Sequence, residues 1–440
     1  MKTKFFSIIA SLLLTTIMSC RQESDKLMTY DHPDPMVFGQ ADTSFAAKFK
    51  VFWNAMNQYY AIWDYEAEFG LDWDAVYREY LPKFEALDRQ DMVTDDELKE
   101  LMDQAFSPIH DGHFSVLFSN HKTGTEEVRC QPGRYRAMLR DDYDIAWNYP
   151  PSLDYYSQVA NGEIEIDPDG NPWVLESSTL DNPKFGDYGV GVKFALFKGN
   201  IAYFQFTDFH LTPYINYLFS TSDPTLLQQM LDVRNVWAYW FAFVQELHED
   251  GTLGGVIIDV RGNHGGRITD FECVAGSLLP GGGYLVGYQR YKTGTGRYDY
   301  SPLNPYMAPT MDDSVHHAIT EPVVVLTNCM SVSMSETTAL AAKAMPNGIV
   351  IGKRSFGANC MNNSNNATFT SKYVSFIGQR HQTPVYAIVP QVALYTVDHK
   401  LIEGVGIEPD IEVDFDVNLF ETTGRDSQLD RALQYLRTGN

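Results

Sequence analysis

Two adjoining runs decide the fold, Val323-Val324-Val325-Leu326-Thr327-Asn328 and Ser331-Val332-Ser333-Met334-Ser335-Glu336. The first run is apolar and rich in β-branched residues, which predicts a buried strand, and residues 337–345 then read as a helix. A serine at such a strand-to-helix turn stands exposed at a sheet edge, where the helix N–H groups can bind an oxyanion. The alternative is that these serines only cap the helix, since Ser and Glu three residues apart are a common start signal.

The segments on either side of this turn alternate between strand and helix. Strands are predicted at 201–206, 255–260 and 348–352, and a long helix is predicted at 225–249. Such alternation is typical of an α/β fold with a mostly parallel sheet. We place this core at residues 200–415.

The residues around the core fall into three further regions. Aromatic and aliphatic residues recur at helical spacing over 43–110, which predicts an N-terminal helical subdomain whose aromatic stripes are core faces. Residues 111–199 are rich in turn signals and predict an irregular segment with short strands. Residues 416–440 form a C-terminal tail or helix.

The N-terminus has the order of an export signal. Lys2 and Lys4 precede an apolar stretch, which ends at Ser19-Cys20. The ending resembles the lipobox of bacterial lipoproteins, which implies a signal peptide at 1–19 and lipidation of Cys20; an ordinary secretory signal is the alternative. Residues 20–42 then form a polar tether, so we expect a lipid-anchored cell-envelope protein that faces the periplasm or the cell surface.

Charge and cysteine content exclude several classes of partner. The 440-residue chain has a formal net charge of -24, and removal of residues 1–19 leaves 31 basic against 57 acidic residues, a net charge of -26. Such acidity disfavours nucleic acid as a partner. No Cys-x-x-Cys or His-x-x-x-His spacing occurs, so neither a metal nor another cofactor is predicted. In an oxidising compartment the four remaining cysteines could pair in three ways: Cys130, Cys273, Cys329 and Cys360.

Three short segments elsewhere bear on the serine turn. Residues 259–266, Asp-Val-Arg-Gly-Asn-His-Gly-Gly, leave a strand in a glycine-rich turn, where ligands of open α/β sheets bind. Asp111-Gly112-His113 follows the helical region, and residues 402–410 form a glycine-rich turn near the end of the core. Each has a structural alternative: a tight connection, a structural histidine and a plain turn.

Taken together, the motifs resemble those of the tail-specific, or C-terminal processing, serine peptidase family, which includes the tricorn core protease. Asp-Gly-His, Asp-Val-Arg-x-Asn-x-Gly-Gly, Asn-x-x-Ser-x-Ser-x-Ser-Glu and Glu-Gly-x-Gly-x-x-Pro-Asp occur in the family's order. The resemblance covers roughly residues 45–415 and implies a crotonase-like core. No segment between 113 and 201 reads as the PDZ module that many relatives carry.

The resemblance implies a nucleophile and an oxyanion hole. Ser333 matches the nucleophile, and Gly265 or Gly266 with the N–H of Met334 match the oxyanion hole. Ser331 and Ser335 are left with turn and cap roles.

The base is predicted to be a histidine. One branch of the family uses a lysine in a Phe-Gly-Lys motif, but the matching run here ends in Ala358. Lys353 does not replace that lysine, since side chains alternate along a strand. The tricorn-like branch uses a histidine, which His113 matches, with Glu403 as the group that holds its tautomer.

The expected function is therefore that of an exported serine endopeptidase of the Ser-His type, which cleaves peptides or partly unfolded proteins through an acyl-enzyme. The alternative is a non-catalytic lipoprotein that binds apolar ligands or peptides on the same fold, as the retinoid-binding proteins of the retina do within the wider fold family. The missing lysine and the 13% aromatic content motivate this alternative.

Overall fold

The computed structural model describes most of the chain from residue 43 onward. The described residues are 43–160, 191–210, 228, 240–268, 270–271, 284–294, 296–308, 319–360 and 384–440, with the backbone of 174–180, 184–185, 188–189 and 376–377. The predicted signal peptide, Cys20 and the tether lie outside them, as does most of the predicted helix at 225–249, of which 240–249 are helical. Across these described ranges, no helix is both long and apolar enough to cross a bilayer.

Helices and strands are numbered in chain order. The helices are α1 Phe45–Tyr59, α2 Trp63–Glu68, α3 Trp73–Asp88, α4 Asp95–Phe106, α5 Pro132–Met138, α6 Tyr143–Asn148, α7 Asp154–Ala160, α8 Met334–Ala344, α9 Val417–Thr423 and α10 Ser427–Thr438. The strands are β1 Ser115–Asn120, β2 Thr125–Cys130, β3 Val174–Leu180, β4 Lys184–Phe185, β5 Tyr188–Gly189, β6 Val192–Phe197, β7 Ile201–Phe206, β8 Gly255–Asp259, β9 Leu285–Tyr291, β10 Asn304–Met307, β11 Val323–Thr327, β12 Gly348–Gly352, β13 Phe376–Ile377, β14 Val385–Ile388, β15 Val392–Tyr395 and β16 Ile411–Glu412.

The N-terminal helical region is confirmed. Ser44 caps the N-terminus of α1, since its Oγ accepts the N–H of Ala47 at 3.2 Å, and Thr94 and Glu97 form the predicted capping box of α4. Aromatic side chains of α1, α3 and α4 are fully buried in one cluster, so the stripes are core faces, as predicted.

The core sheet is mostly parallel, as predicted. Among the described residues its strand order is β16-β12-β11-β8-β7-β6-β3, in which the first five strands are parallel and β6 and β3 are antiparallel. Strands β8 and β11 are buried throughout, because α8 covers one face of the sheet and α10 the other. The strand ends at 259–261 and 327–328 therefore lie side by side at one edge.

Three features differ from the predicted regions. The segment 111–199 contains the short helices α5, α6 and α7, of which α5 begins with Pro132 in its first turn. Strands β3 and β6 of this segment belong to the core sheet, since β6 pairs antiparallel with β7 and β3 pairs antiparallel with β6. The C-terminal residues are part of the core, since α10 buries Leu429, Ala432 and Leu433 beneath the sheet.

A second sheet joins the N-terminal region to the core. Strand β1 pairs antiparallel with β2 and with β14, so that Val116 lies opposite Ala387. Because β1 starts at residue 115, this pairing brings the loop at 111–113 to the part of the chain that leads to Glu403.

Candidate active site

The serine turn joins β11 to α8 and holds Ser333 in a strained conformation. Ser333 has φ 59° and ψ -113°, a region that non-glycine residues rarely adopt and that is often found at functional sites. It is half-buried, whereas Ser331 and Ser335 are fully buried. Ser333 is therefore the serine of this run that reaches the surface.

The other two serines hold the turn against the neighbouring strand. Ser331 Oγ donates to the carbonyl of Val260 at 2.8 Å and accepts the N–H of Asn328 at 3.0 Å. Ser335 Oγ donates to the backbone carbonyl of Asn263 at 2.8 Å. Ser331 thus has the turn role expected of it, whereas the N-cap of α8 is Ser333 and not Ser335, which lies within the helix.

The glycine turn after β8 packs directly on Ser333. Gly265 has φ 85°, and a Cβ built on it would lie 2.6 Å from Ser333 Cβ and 2.9 Å from the Met334 nitrogen, so only glycine fits there. The N–H of Gly265 donates to Asn263 Oδ1 at 2.8 Å. That amide is therefore engaged within the turn itself.

A buried carboxylate, Glu336, ties the serine turn to the next loop. Its oxygens accept the N–H of Ser333 at 3.1 Å, of Gly357 at 2.8 Å and of Ala358 at 2.7 Å. Burial raises the pKa of this carboxyl. The sequence shows Glu336 only as the partner in a capping box, and its contact with residues 357–358 is long-range.

The loop of His113 lies against Ala358. Ala358 is fully buried, and a Cβ built on Gly112 would lie 2.5 Å from its Cβ. Lys353 points elsewhere, since its Nζ pairs with Glu412 and Asp414, each at 2.6 Å. The Asp-Gly-His loop therefore packs at the position of the missing lysine through Gly112, and Lys353 does not replace that lysine.

The structure brings His113 and Glu403 together. A ring nitrogen of His113 and carboxylate oxygens of Glu403 and Asp111 lie within 4.8 Å of one another. Glu403 is fixed by the N–H groups of Gly112 at 3.1 Å and Asn359 at 2.6 Å, and by that of Cys360. These bonds hold a carboxylate beside the imidazole.

Burial sets the protonation state of this group. It lowers the pKa of the half-buried His113 imidazole to about 4, so the ring is neutral at pH 7. Burial first, and then the nearby Asp111, raise the pKa of Glu403 well above its usual range. His113 is thus neutral and able to accept a proton.

Asp111 is a further member of the group, to which the sequence motif assigns no role. Its Oδ1 accepts the N–H of His113 at 2.7 Å and of Phe114 at 3.0 Å, which shapes the loop. Burial and the neighbouring Glu66 raise the pKa of Asp111 to about 7. Its membership became visible only in three dimensions.

A buried ion pair lies next to the glycine turn and stabilises it. Arg261 donates to Asp259 and Asp426, and Asp426 also caps α10, where it accepts the N–H of Leu429 at 3.1 Å. All three side chains are fully buried. The C-terminal helix is thereby linked to the segment that carries Gly265 and Gly266.

The sequence left three pairings of the four cysteines open, and Cys273 lies outside the described residues. Cys130, Cys329 and Cys360 are free and buried. Burial raises the pKa of each of these thiols. They are thus protonated at neutral pH, which argues against a role as nucleophile.

Comparison with known proteins agrees with this fold. Residues 200–413 match the sequence model of Peptidase family S41, so this part of the chain carries a domain of that serine peptidase family. The matched range includes Ser333, Gly265 and Glu403, and it begins after His113. No protein of curated function matches the chain.

Solved structures show the same fold at low identity. A candidate peptidase from Parabacteroides merdae ATCC 43184 has a TM-score of 0.55 at 20% identity, covering 91% of this chain and 98% of its own. Mature CPAF complexed with lactacystin has a TM-score of 0.54 at 10% identity, covering 90% of this chain and 99% of its own. A second structure of mature CPAF has a TM-score of 0.52 at 11% identity, covering 90% and 95%. At these identities the likeness concerns the fold alone.

Proposed function

We propose that the protein is a serine endopeptidase that cleaves peptides or partly unfolded proteins through an acyl-enzyme on Ser333. The observation that carries the proposal is the strained conformation of Ser333, which packs against Gly265. A neutral His113 lies in the loop that contacts Ala358. Strain at a surface serine is otherwise hard to explain, because Ser331 and Ser335 already hold the turn.

In this mechanism His113 is the general base. It accepts the proton of Ser333 Oγ as the oxygen attacks the peptide carbonyl, and later gives the proton to the leaving amine. Glu403 is the positioning residue, since its carboxylate is fixed by backbone N–H groups beside the ring. The N–H groups of Gly266 and Met334 would stabilise the oxyanion, a role worth about 3 kcal/mol for one donor.

Two variants test the nucleophile and the base. A fluorophosphonate probe should label the wild-type protein and not Ser333→Ala. His113→Ala should lower peptide hydrolysis by about 1000-fold or more, while its far-UV circular dichroism stays unchanged. The matched control is His248→Ala, because His248 pairs with Glu321, which precedes β11, whereas the serine turn follows the opposite end of that strand.

The outcomes separate the proposal from its alternative. Equal labelling of the wild type and Ser333→Ala would remove Ser333 as nucleophile. An apolar ligand that co-purifies and is retained by Ser333→Ala, together with no hydrolysis by the wild type, would favour the binding lipoprotein. Hydrolysis that survives in His113→Ala would leave the nucleophile standing and remove the histidine base.

We also propose that the protein is exported and anchored through a lipid on Cys20, with the catalytic domain on the periplasmic side or the cell surface. The charged, apolar and small-residue order of residues 1–20 supports this. Metabolic labelling with radioactive palmitate should mark the wild type and not Cys20→Ser. Equal labelling of both would contradict lipidation at this residue.

A further inference from the structure

Three side chains that can bind metal converge beside the serine turn. A ring nitrogen of His113 and one carboxylate oxygen each from Asp111 and Glu403 lie within 4.8 Å of one another; we call this the Asp111–His113–Glu403 cluster. Glu403 lies about 290 residues after the other two in the chain, so local spacing does not reveal the cluster. Imidazole with carboxylates is a donor set typical of zinc.

Two atoms of the cluster are buried without a hydrogen-bond partner among the described residues. These are Asp111 Oδ2 and His113 Nδ1. Asp111 is fully buried, and an unpaired buried polar atom destabilises the folded state. Such atoms in a folded protein call for an unseen partner.

The geometry leaves room for a small cation. In an equilateral triangle with sides of 4.8 Å, the widest that the cluster allows, the centre lies about 2.8 Å from each corner. Zinc binds nitrogen and carboxylate oxygen at about 2.0–2.2 Å, so each donor would move inward by about 0.8 Å or less. Rotation of side chains can supply a shift of this size.

Charge also favours a dication. Asp111 and Glu403 are both buried and lie close together, so their negative charges repel each other. A bound dication would offset the charge of both carboxylates.

We propose that the Asp111–His113–Glu403 cluster binds one divalent zinc ion, and that the ion reversibly inhibits hydrolysis at Ser333. The inhibition rests on the proposed function, whereas the binding does not. An imidazole that gives one nitrogen to a metal keeps its proton on the other, so it cannot accept the proton of Ser333. Binding releases any proton held by the carboxylates and leaves the covalent structure unchanged.

Binding is tested without catalysis on the full-length, untagged Ser333→Ala protein. Isothermal titration with Zn²⁺ should show one site per chain. Adding Asp111→Asn or His113→Gln should weaken binding by about 100-fold or more, since each removes one of three ligands. The matched control is Glu408→Gln, an exposed acid five residues after Glu403, which should bind as before.

A second readout guards against loss of folding. Zn²⁺ should raise the thermal unfolding midpoint of Ser333→Ala and of its Glu408→Gln form, but not of the Asp111→Asn form. Unchanged zinc affinity in both the Asp111→Asn and His113→Gln forms, or no binding to Ser333→Ala at all, would overturn the site.

Activity measurements then separate the two proposals. Zn²⁺ should inhibit the wild type, and EDTA should restore the full rate. If the wild type hydrolyses peptides but binds no zinc, the metal site is wrong and the proposed function stands. If zinc binds as expected but hydrolysis is absent without it, the site stands and the proposed function is wrong.

Discussion

The close approach of Gly265 to Ser333 can be tested by adding a single methyl group. Gly265→Ala places a Cβ 2.6 Å from Ser333 Cβ, whereas carbon atoms normally approach to about 3.5–4.0 Å. Gly262 is the matched control, because it lies in the same turn, has φ 71° against 85° for Gly265, and has no atom within 4 Å of an added Cβ.

The two substitutions share one cost and differ in another. Alanine at positive φ costs about 1–2 kcal/mol, and this applies to both positions. Gly265→Ala adds a clash worth about 1–3 kcal/mol unless the serine turn moves by about 1 Å. Since a displacement of about 1 Å at a reacting group can lower the rate by about 100-fold, Gly265→Ala should lose that factor and Gly262→Ala should stay within about threefold of wild type.

The assay combines urea unfolding with the rate of fluorophosphonate labelling. Both variants should unfold cooperatively, with Gly265→Ala less stable than Gly262→Ala. Equal labelling rates for Gly265→Ala and the wild type would refute the view that this glycine positions the nucleophile. A similar loss of labelling rate in both variants would indicate that backbone strain alone causes the effect.

Three further predictions concern the buried charges. In buffer with EDTA, kcat/KM should rise with pH to half its plateau near pH 4 to 5, following the lowered pKa of His113; a midpoint near 6.5 would contradict the effect of burial. Asp111→Asn should be more stable than wild type at pH 8, but not at pH 4. Because the pKa of this carboxyl is raised to about 7 in the folded state, Asp111 favours the folded state at low pH. Its contribution to the free energy of unfolding falls by up to about 4 kcal/mol as pH rises from about 4 to 7. The same difference in unfolding free energy between Asp111→Asn and the wild type at both pH values, measured with urea, would contradict this. Arg261→Met should lower the free energy of unfolding by about 3–5 kcal/mol, because two buried carboxylates lose their partner. Lys353→Met should lower it by less than about 1 kcal/mol, because the partners of Lys353 are exposed. Equal losses in the two variants would contradict the role of burial.

The N-terminal helices, the parallel core and the serine turn were predictable because each depends on local patterns. Aromatic spacing gives α1 and α3, and the apolar run 323–327 gives a strand that is buried on both faces. The short helices α5 to α7 were not predicted, because turn residues within and around them mask a weak helical signal. The division between regions was predicted least well, since β3, β6 and α10 join the core only through long-range packing.

Within the candidate site, the sequence pointed to the serine turn and the glycine turn separately. Choosing between the two glycines required the structure, because the N–H of Gly265 is taken by Asn263. The sequence also did not show the hydrogen bonds made by Glu336 or the place of Asp111 beside Glu403. Both depend on burial, which a sequence pattern gives for a helix face or a strand but not for a loop.

The place of Ala358 at the lysine position of related peptidases rests on the family resemblance. By itself, the sequence determined that a serine stands at a strand-to-helix turn and that glycines follow the neighbouring strand. These features follow from interactions between residues close in the chain. Only the tertiary structure decided that the loop at 111–113 meets Glu403 and that its acids are buried. The physical reason is the pairing of β1 with β14, which joins segments about 270 residues apart and excludes water from the charges between them.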